Sequence, residues 1–188
     1  LIPETDIVTL LLLDRDEIVP VWRRRIMSRQ SDIKVIHEAI DVPVSFDAFT
    51  SRLEGLLGRF DPAVERTLAE DAVAARQRLE AMAGEQGLML FGIQNHGGLF
   101  ALRGERRKAK RYHIGNPLIA FQMTQHDIRA ALYAPLTVLV YETAPAAVRV
   151  EFDRPSSLFG QFGNQAVTEV AAGLDVKLNA LIEKASRE

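Results

Sequence analysis

His96 is the residue whose type and context best suit chemistry. It closes the run Ile93-Gln94-Asn95-His96-Gly97-Gly98. An imidazole titrates near neutral pH and can take or give a proton, and the two glycines permit unusual backbone angles and close approach of a ligand. Gly115-Asn116-Pro117 reads as a helix start, whose free amides and dipole suit a carboxylate or phosphate, with Gly115 leaving room for it. In Asp153-Arg154-Pro155 the carboxylate is suited to orient His96, and the guanidinium to grip an anion in bidentate fashion. Together Asn95, His96, Gly115, Asn116, Asp153 and Arg154 outline a cleft for a small polar or anionic ligand. With His96 as base and Asp153 as its orienter, the same residues outline an acid/base enzyme, a hydrolase or isomerase.

Each position also has a purely structural reading. His96 can shape the turn after a strand, Asn116 can cap a helix, and Asp153 can bond the backbone ahead of Pro155 in a turn. His126, at the end of the helix that starts at Pro117, is explained by the favourable placement of a cation at a helix C-terminus.

Other chemistries are excluded more firmly. The chain has no cysteine, which removes disulfides, thiolate ligands and thiol nucleophiles. His37, His96, His113 and His126 show no paired ligand spacing, so no metal site and no cofactor is expected. Ser156-Ser157 lack the nucleophile elbow, and Gly160-Gln161-Phe162-Gly163 is neither a phosphate loop nor a dinucleotide fingerprint. The basic turn Arg103 to Arg111 contains Glu105 and has only Tyr112 as an aromatic neighbour, so it reads as a solvated hairpin. With a net charge of −2 there is no global field for nucleic acid or an anionic membrane, and neither is expected as a partner.

The elements that must hold these residues follow from periodicity. Val35, Ile36, Ile40, Val42 and Val44 predict a strand, ended by Ser45 as a helix cap. Phe46, Phe49, Leu53, Leu56, Leu57 and Phe60 share one helical face, and Asp61-Pro62 opens a second helix running to Gly84. Leu88 to Ile93 is predicted as a central strand, with Leu99 to Leu102 its continuation or a hairpin partner. A strand around Lys110 to Ile114, a helix from Pro117 to His126 and a strand from Pro135 to Glu142 come next. Val148, Val150 and Phe152 alternate with Arg149, Glu151 and Asp153, the mark of an antiparallel strand with one wet face. A last helix begins near Asn164. The mixed order with a hairpin favours an α+β fold over a doubly wound parallel sheet.

At 188 residues, 47% hydrophobic and 26% charged, the chain has the make-up of one globular domain. Residues 1–30 lack sustained periodicity and read as an appendage. It is either an artefact of where the sequence starts, since Met27 follows, or a tail that packs on a partner; the domain proper spans 34–186. The apolar run Ile7 to Leu13 is too short to cross a bilayer, and acidic Glu4 and Asp6 precede it where a secretory signal wants positive charge. A soluble, cytoplasmic protein is expected.

From Val35 to Ala185 the chain resembles the DUF302 domain family. The resemblance is carried by the strand ending in Asn95-His96, by Gly115-Asn116-Pro117-Leu118-Ile119-Ala120 opening a helix, by the strand Leu136 to Glu142, and by Asp153-Arg154-Pro155-Ser156-Ser157-Leu158-Phe159. One branch of the family carries an extra helical stretch similar to Asp61 to Met82. The resemblance implies a compact α+β fold with an antiparallel-rich sheet and a homodimer, and it implies no activity. Ligand binding, acid/base catalysis and a structural or interaction role all stay open.

Overall fold

The computed structural model describes residues 28–187, so the expected appendage lies, except for its last three residues, outside the described residues. The unit Ile33–Glu188 is built on a six-stranded mixed sheet. In chain order the strands are β1 (His37–Val42), β2 (Gly58–Arg59), β3 (Met89–Asn95), β4 (Ala109–Gly115), β5 (Leu136–Ala144) and β6 (Ala147–Asp153), and across the sheet they lie β1-β6-β5-β4-β3-β2. All neighbours are antiparallel except β2, which runs parallel to β3. The helices are α1 (Phe46–Leu56), α2 (Val64–Glu70), α3 (Ala72–Met82), α4 (Pro117–Thr124), α5 (Pro155–Gly160) and α6 (Gln165–Ser186). The fold is α+β, and no helix among the described residues is long and apolar enough to cross a membrane.

The period-2 pattern of β5 and β6 sorts their side chains onto two faces. Val138, Val140, Val148, Val150 and Phe152 are buried, joined by Tyr112 and Ile114 of β4, and α1 and α6 cover them through Phe49, Leu53, Leu174, Leu178 and Leu181 in one cluster. The alternate residues face the other way, where among the described residues no α-helix packs over them. In register across that open face lie His37, Asp153, Arg149, Glu151, Tyr141, Leu139, Thr137, Arg111 and His113. A bulge at Phe91 shifts β3 so that Gly92 and Gln94 come level with His113 and Arg111.

Caps fix where the helices begin. The Ser45 hydroxyl accepts from Ala48 N, and the Asn164 carboxamide oxygen accepts from Val167 N. The single helix predicted from Asp61 to Gly84 is two, because Asp71 adopts an extended conformation and its carboxylate caps α3 through the amides of Val73 and Ala74. Gly58 starts β2, where no strand was expected, with Gly58 N bonded to Leu88 O and Phe60 N to Leu90 O. A Cβ on Gly58 would stand 1.8 Å from Met82 O, and one on Gly84 would stand 2.1 Å from Gly58 N. The two glycines therefore let the end of α3 lie directly against β2. β3 is not central in the sheet: only the two residues of β2 lie outside it.

Candidate functional site

Of the residues expected to form one cleft, the open face carries Asp153 and, at its rim, His96, and they stand apart. Asp153 does not meet His96. Asn95 is level with Lys110, Val140 and Val150 on successive strands, three strands away from Asp153 and three residues short of it, a separation of roughly 17 Å from standard strand spacings. The Asp153 carboxylate bonds instead to Nδ1 of His37 at 3.0 Å, across the β1–β6 pair. His37 Nε2 lies 3.3 Å from Glu151, and the Tyr141 hydroxyl donates to Glu151 at 2.7 Å. Asp153 first, against some burial, and then Glu151 raise the His37 pKa above its ordinary value. With both ring nitrogens held by carboxylates, His37 has none left to act as a base.

Four of the other residues singled out in the sequence have structural occupations. Asn95 accepts from Gly98 N at 2.9 Å and so starts a 3₁₀ turn, Gly97–Arg103, where a strand or hairpin partner was predicted. The apolar letters there did not signal burial, since Leu99 and Leu102 are exposed. Asn116 accepts from Leu118 N and Ile119 N and donates to Gly87 O at 2.7 Å, so its carboxamide oxygen is fully used as a cap and one N–H is bonded to the backbone. Gly115 is buried against Pro135, whose Cβ would lie 3.3 Å from an added Cβ. Arg154 holds Glu38 through Nε and Nη2, and Pro155 begins α5.

His96 is exposed, and it lines a broad cleft of about 970 Å³ on the open face. The floor is Arg111, Thr137, Leu139, Tyr141 and Glu151, and the 3₁₀ turn with the loop Glu105 to Lys108 overhangs it. The overhang depends on Gly97, because a Cβ there would stand 2.3 Å from Arg107 O and 2.6 Å from Ala109 N. The glycine after His96 thus serves backbone packing.

Charge in the cleft is uneven. Arg107 pairs with Glu105 and stacks on Phe100, while Lys108 pairs with Asp47 at 2.7 Å and Glu142 at 3.7 Å. Glu151 is engaged by Tyr141 and His37, which with burial opposing lower its pKa. Among the described residues Arg106 and Arg111 have no carboxylate partner. Among the described residues Arg111 Nε is buried without an acceptor, and the one side-chain bond of the guanidinium is a long one, 3.5 Å, from Nη2 to Thr137 Oγ1. Beside it, His113 Nε2 is also buried and unpartnered; burial first, then the Arg111 charge, lowers the His113 pKa and favours the neutral ring. Arg111 was passed over in the sequence because it sat in a run assigned to a solvated hairpin. The signal that points to it is the strand period, which puts Arg111 and His113 on the face opposite Tyr112 and Ile114.

A family model described as domain of unknown function DUF302 matches residues 64–185. The chain belongs to the DUF302 family. Among solved structures, the crystal structure of the uncharacterized conserved DUF302 protein from Bacillus stearothermophilus superposes with a TM-score of 0.56. The match covers 79% of this chain and 97% of that one at 16% identity, so the likeness is one of fold. No curated protein matches the sequence. In this DUF302 chain the matched region begins at α2 and takes in β3 to β6 with Arg106 and Arg111 of the cleft.

Proposed function

We propose that this DUF302 domain binds a small anionic ligand, a carboxylate or phosphate, on the open face of its sheet between Arg111 and His96. The observation that carries the reading is the Arg111 guanidinium. A buried, unpartnered nitrogen at the floor of a cleft calls for an acceptor, and a planar guanidinium matches a carboxylate or phosphate in bidentate fashion. Arg106 and His96 stand at the same cleft and add donors. Acid/base catalysis finds less support, because Asp153 is committed to His37. A panel of carboxylates and phosphates tested by thermal shift should raise the melting temperature of wild type, by an amount set by concentration relative to Kd, and leave Arg111→Gln unmoved. Equal shifts in both proteins would remove Arg111 from the site.

The homodimer implied by the family resemblance is a separate reading, favoured by β1, which is an edge strand among the described residues and has exposed Ile33 and Ile36 beside it. Open strand edges invite pairing. Light scattering should give twice the monomer mass in wild type and the monomer mass in Ile36→Lys; a monomeric wild type would end that reading.

A further inference from the structure

We infer a second binding site, for a compact uncharged apolar molecule, at the seam between the protein's two hydrophobic cores. The main core lies between the sheet and α1 and α6; a smaller one, Val64, Ala75 and Leu79 with Phe60, Met82 and Leu118 against it, lies under α2 and α3. Between them is a partly open cavity of about 320 Å³. That is near the lower end of the range of small-molecule sites, roughly 300–1,000 Å³.

Its walls are apolar and its polar edge is already used. Phe60 and Phe91 stack at 4.3 Å on one side, and Ile119, Met123 and Phe159 form others. The Asn116 oxygen is used by α4 and one of its N–H groups by Gly87 O, as described above, and Gly115 is β4 backbone paired with Met89. A cavity with such walls favours apolar molecules over water. Collapse of the two cores onto each other is resisted by the Phe60–Phe91 stack and by α3, whose end the Gly58–Gly84 contact pins to β2.

The wall and rim also specify the occupant. Among the described residues Glu65 is the one ionisable side chain lining the cavity, so a fatty acid or other anionic amphiphile is disfavoured and a neutral ring or short chain is favoured. α2 covers the mouth. It is seven residues long, has no side-chain cap at its N-terminus and buries only Val64, with Leu68 lining the cavity while 49% exposed. A ligand bridging Leu68 and Met123 would join the two cores and fasten α2 down.

The test is an NMR titration of the full chain with indole, with octanoate as the anionic counterpart. Two variants narrow the cavity: Leu68→Trp, at a tolerant half-exposed position, and Ala120→Leu in the wall. Indole should give saturable shifts confined to α2, α4 and the Phe60–Phe91 region, weakened at least tenfold in both variants and unchanged in Arg111→Gln, which separates this site from the anionic one. Octanoate should bind at least tenfold more weakly than indole. Four results would overturn the inference: no saturation up to the solubility of indole, wild-type affinity retained in both narrowed variants, octanoate binding as well as indole, or concentration-dependent self-association through α2 in place of ligand binding.

Discussion

Replacing Gly97 by alanine probes how the overhang of the cleft is held. The new Cβ would stand 2.3 Å from Arg107 O, 2.6 Å from Ala109 N and 2.9 Å from Arg107 C, all inside the 3.0 Å that real Cβ contacts respect. Relief requires the backbone entering β4 to move by about 0.7 Å, and a hydrogen-bonded strand cannot swing aside as a flexible side chain can. Overpacking of this kind costs about 1–3 kcal/mol, and because backbone must move the expected loss is in the upper half, about 2–3 kcal/mol. The same substitution at Gly173 is the contrast. It lies in mid-α6 with nothing within 4 Å of an added Cβ, so Gly173→Ala should stabilise by about 0.5–1 kcal/mol through helix propensity and chain entropy. Urea unfolding monitored by circular dichroism reads both, as shifts in midpoint at unchanged slope. Gly97→Ala remaining within about 0.5 kcal/mol of wild type, the range of an ordinary surface change, would refute the close-packed overhang.

Two further expectations concern ionisation. The His37 pKa is raised in the fold, so its contribution to stability is full below its ordinary 6.5 and is lost as pH rises through the higher folded value; the ring-proton NMR titration should have its midpoint above 6.5 and fall back in Asp153→Asn, and a wild-type midpoint at or below 6.5 would contradict the His37–Asp153 pair. Glu54 Oε1 accepts from Lys110 at 2.8 Å and from the buried Tyr112 hydroxyl at 2.9 Å. Burial raises the Glu54 pKa, but these bonds outweigh it and leave it below the ordinary 4.5, so its stabilisation is present above 4.5 and is lost as pH falls through the lower folded value. Tyr112→Phe should cost about 1–2 kcal/mol and weaken resistance to acid; an unfolding midpoint equal to wild type would show that the hydroxyl bond contributes nothing.

What was legible in the sequence was what local patterns determine. The alternation of Val148, Val150 and Phe152 with charged neighbours gave the β5–β6 hairpin and its wet face, and Ser45, Asn116 and Asn164 gave the helix starts, because caps and period-2 burial act within a few residues. The Asp71 break was readable in principle, since aspartate is a strong cap, but Val64, Leu68, Ala75 and Leu79 hold helical spacing straight across it. Register between distant strands was not readable. His37 and Asp153 are 116 positions apart, and nothing near either names the other, so Asp153 was assigned to the wrong neighbourhood when paired with His96. The cleft was hidden for the same reason: Arg111, Tyr141 and Glu151 become neighbours only once β4, β5 and β6 are laid side by side. His96 depends on no distant register: its own segment places it just past the end of β3, where it is exposed.

The most direct test of the anionic site observes the guanidinium itself. The Arg111 Nε–H signal, assigned by its loss in Arg111→Gln, is followed by NMR as inorganic phosphate and then acetate are added to wild type at constant ionic strength. The expected result is a saturable shift of that signal together with the amides of Thr137 and His96. An Arg111 signal that stays in place while the exposed arginines of the Arg103–Arg107 turn respond, or that drifts linearly without saturation, would contradict an anion seated on the floor of the cleft.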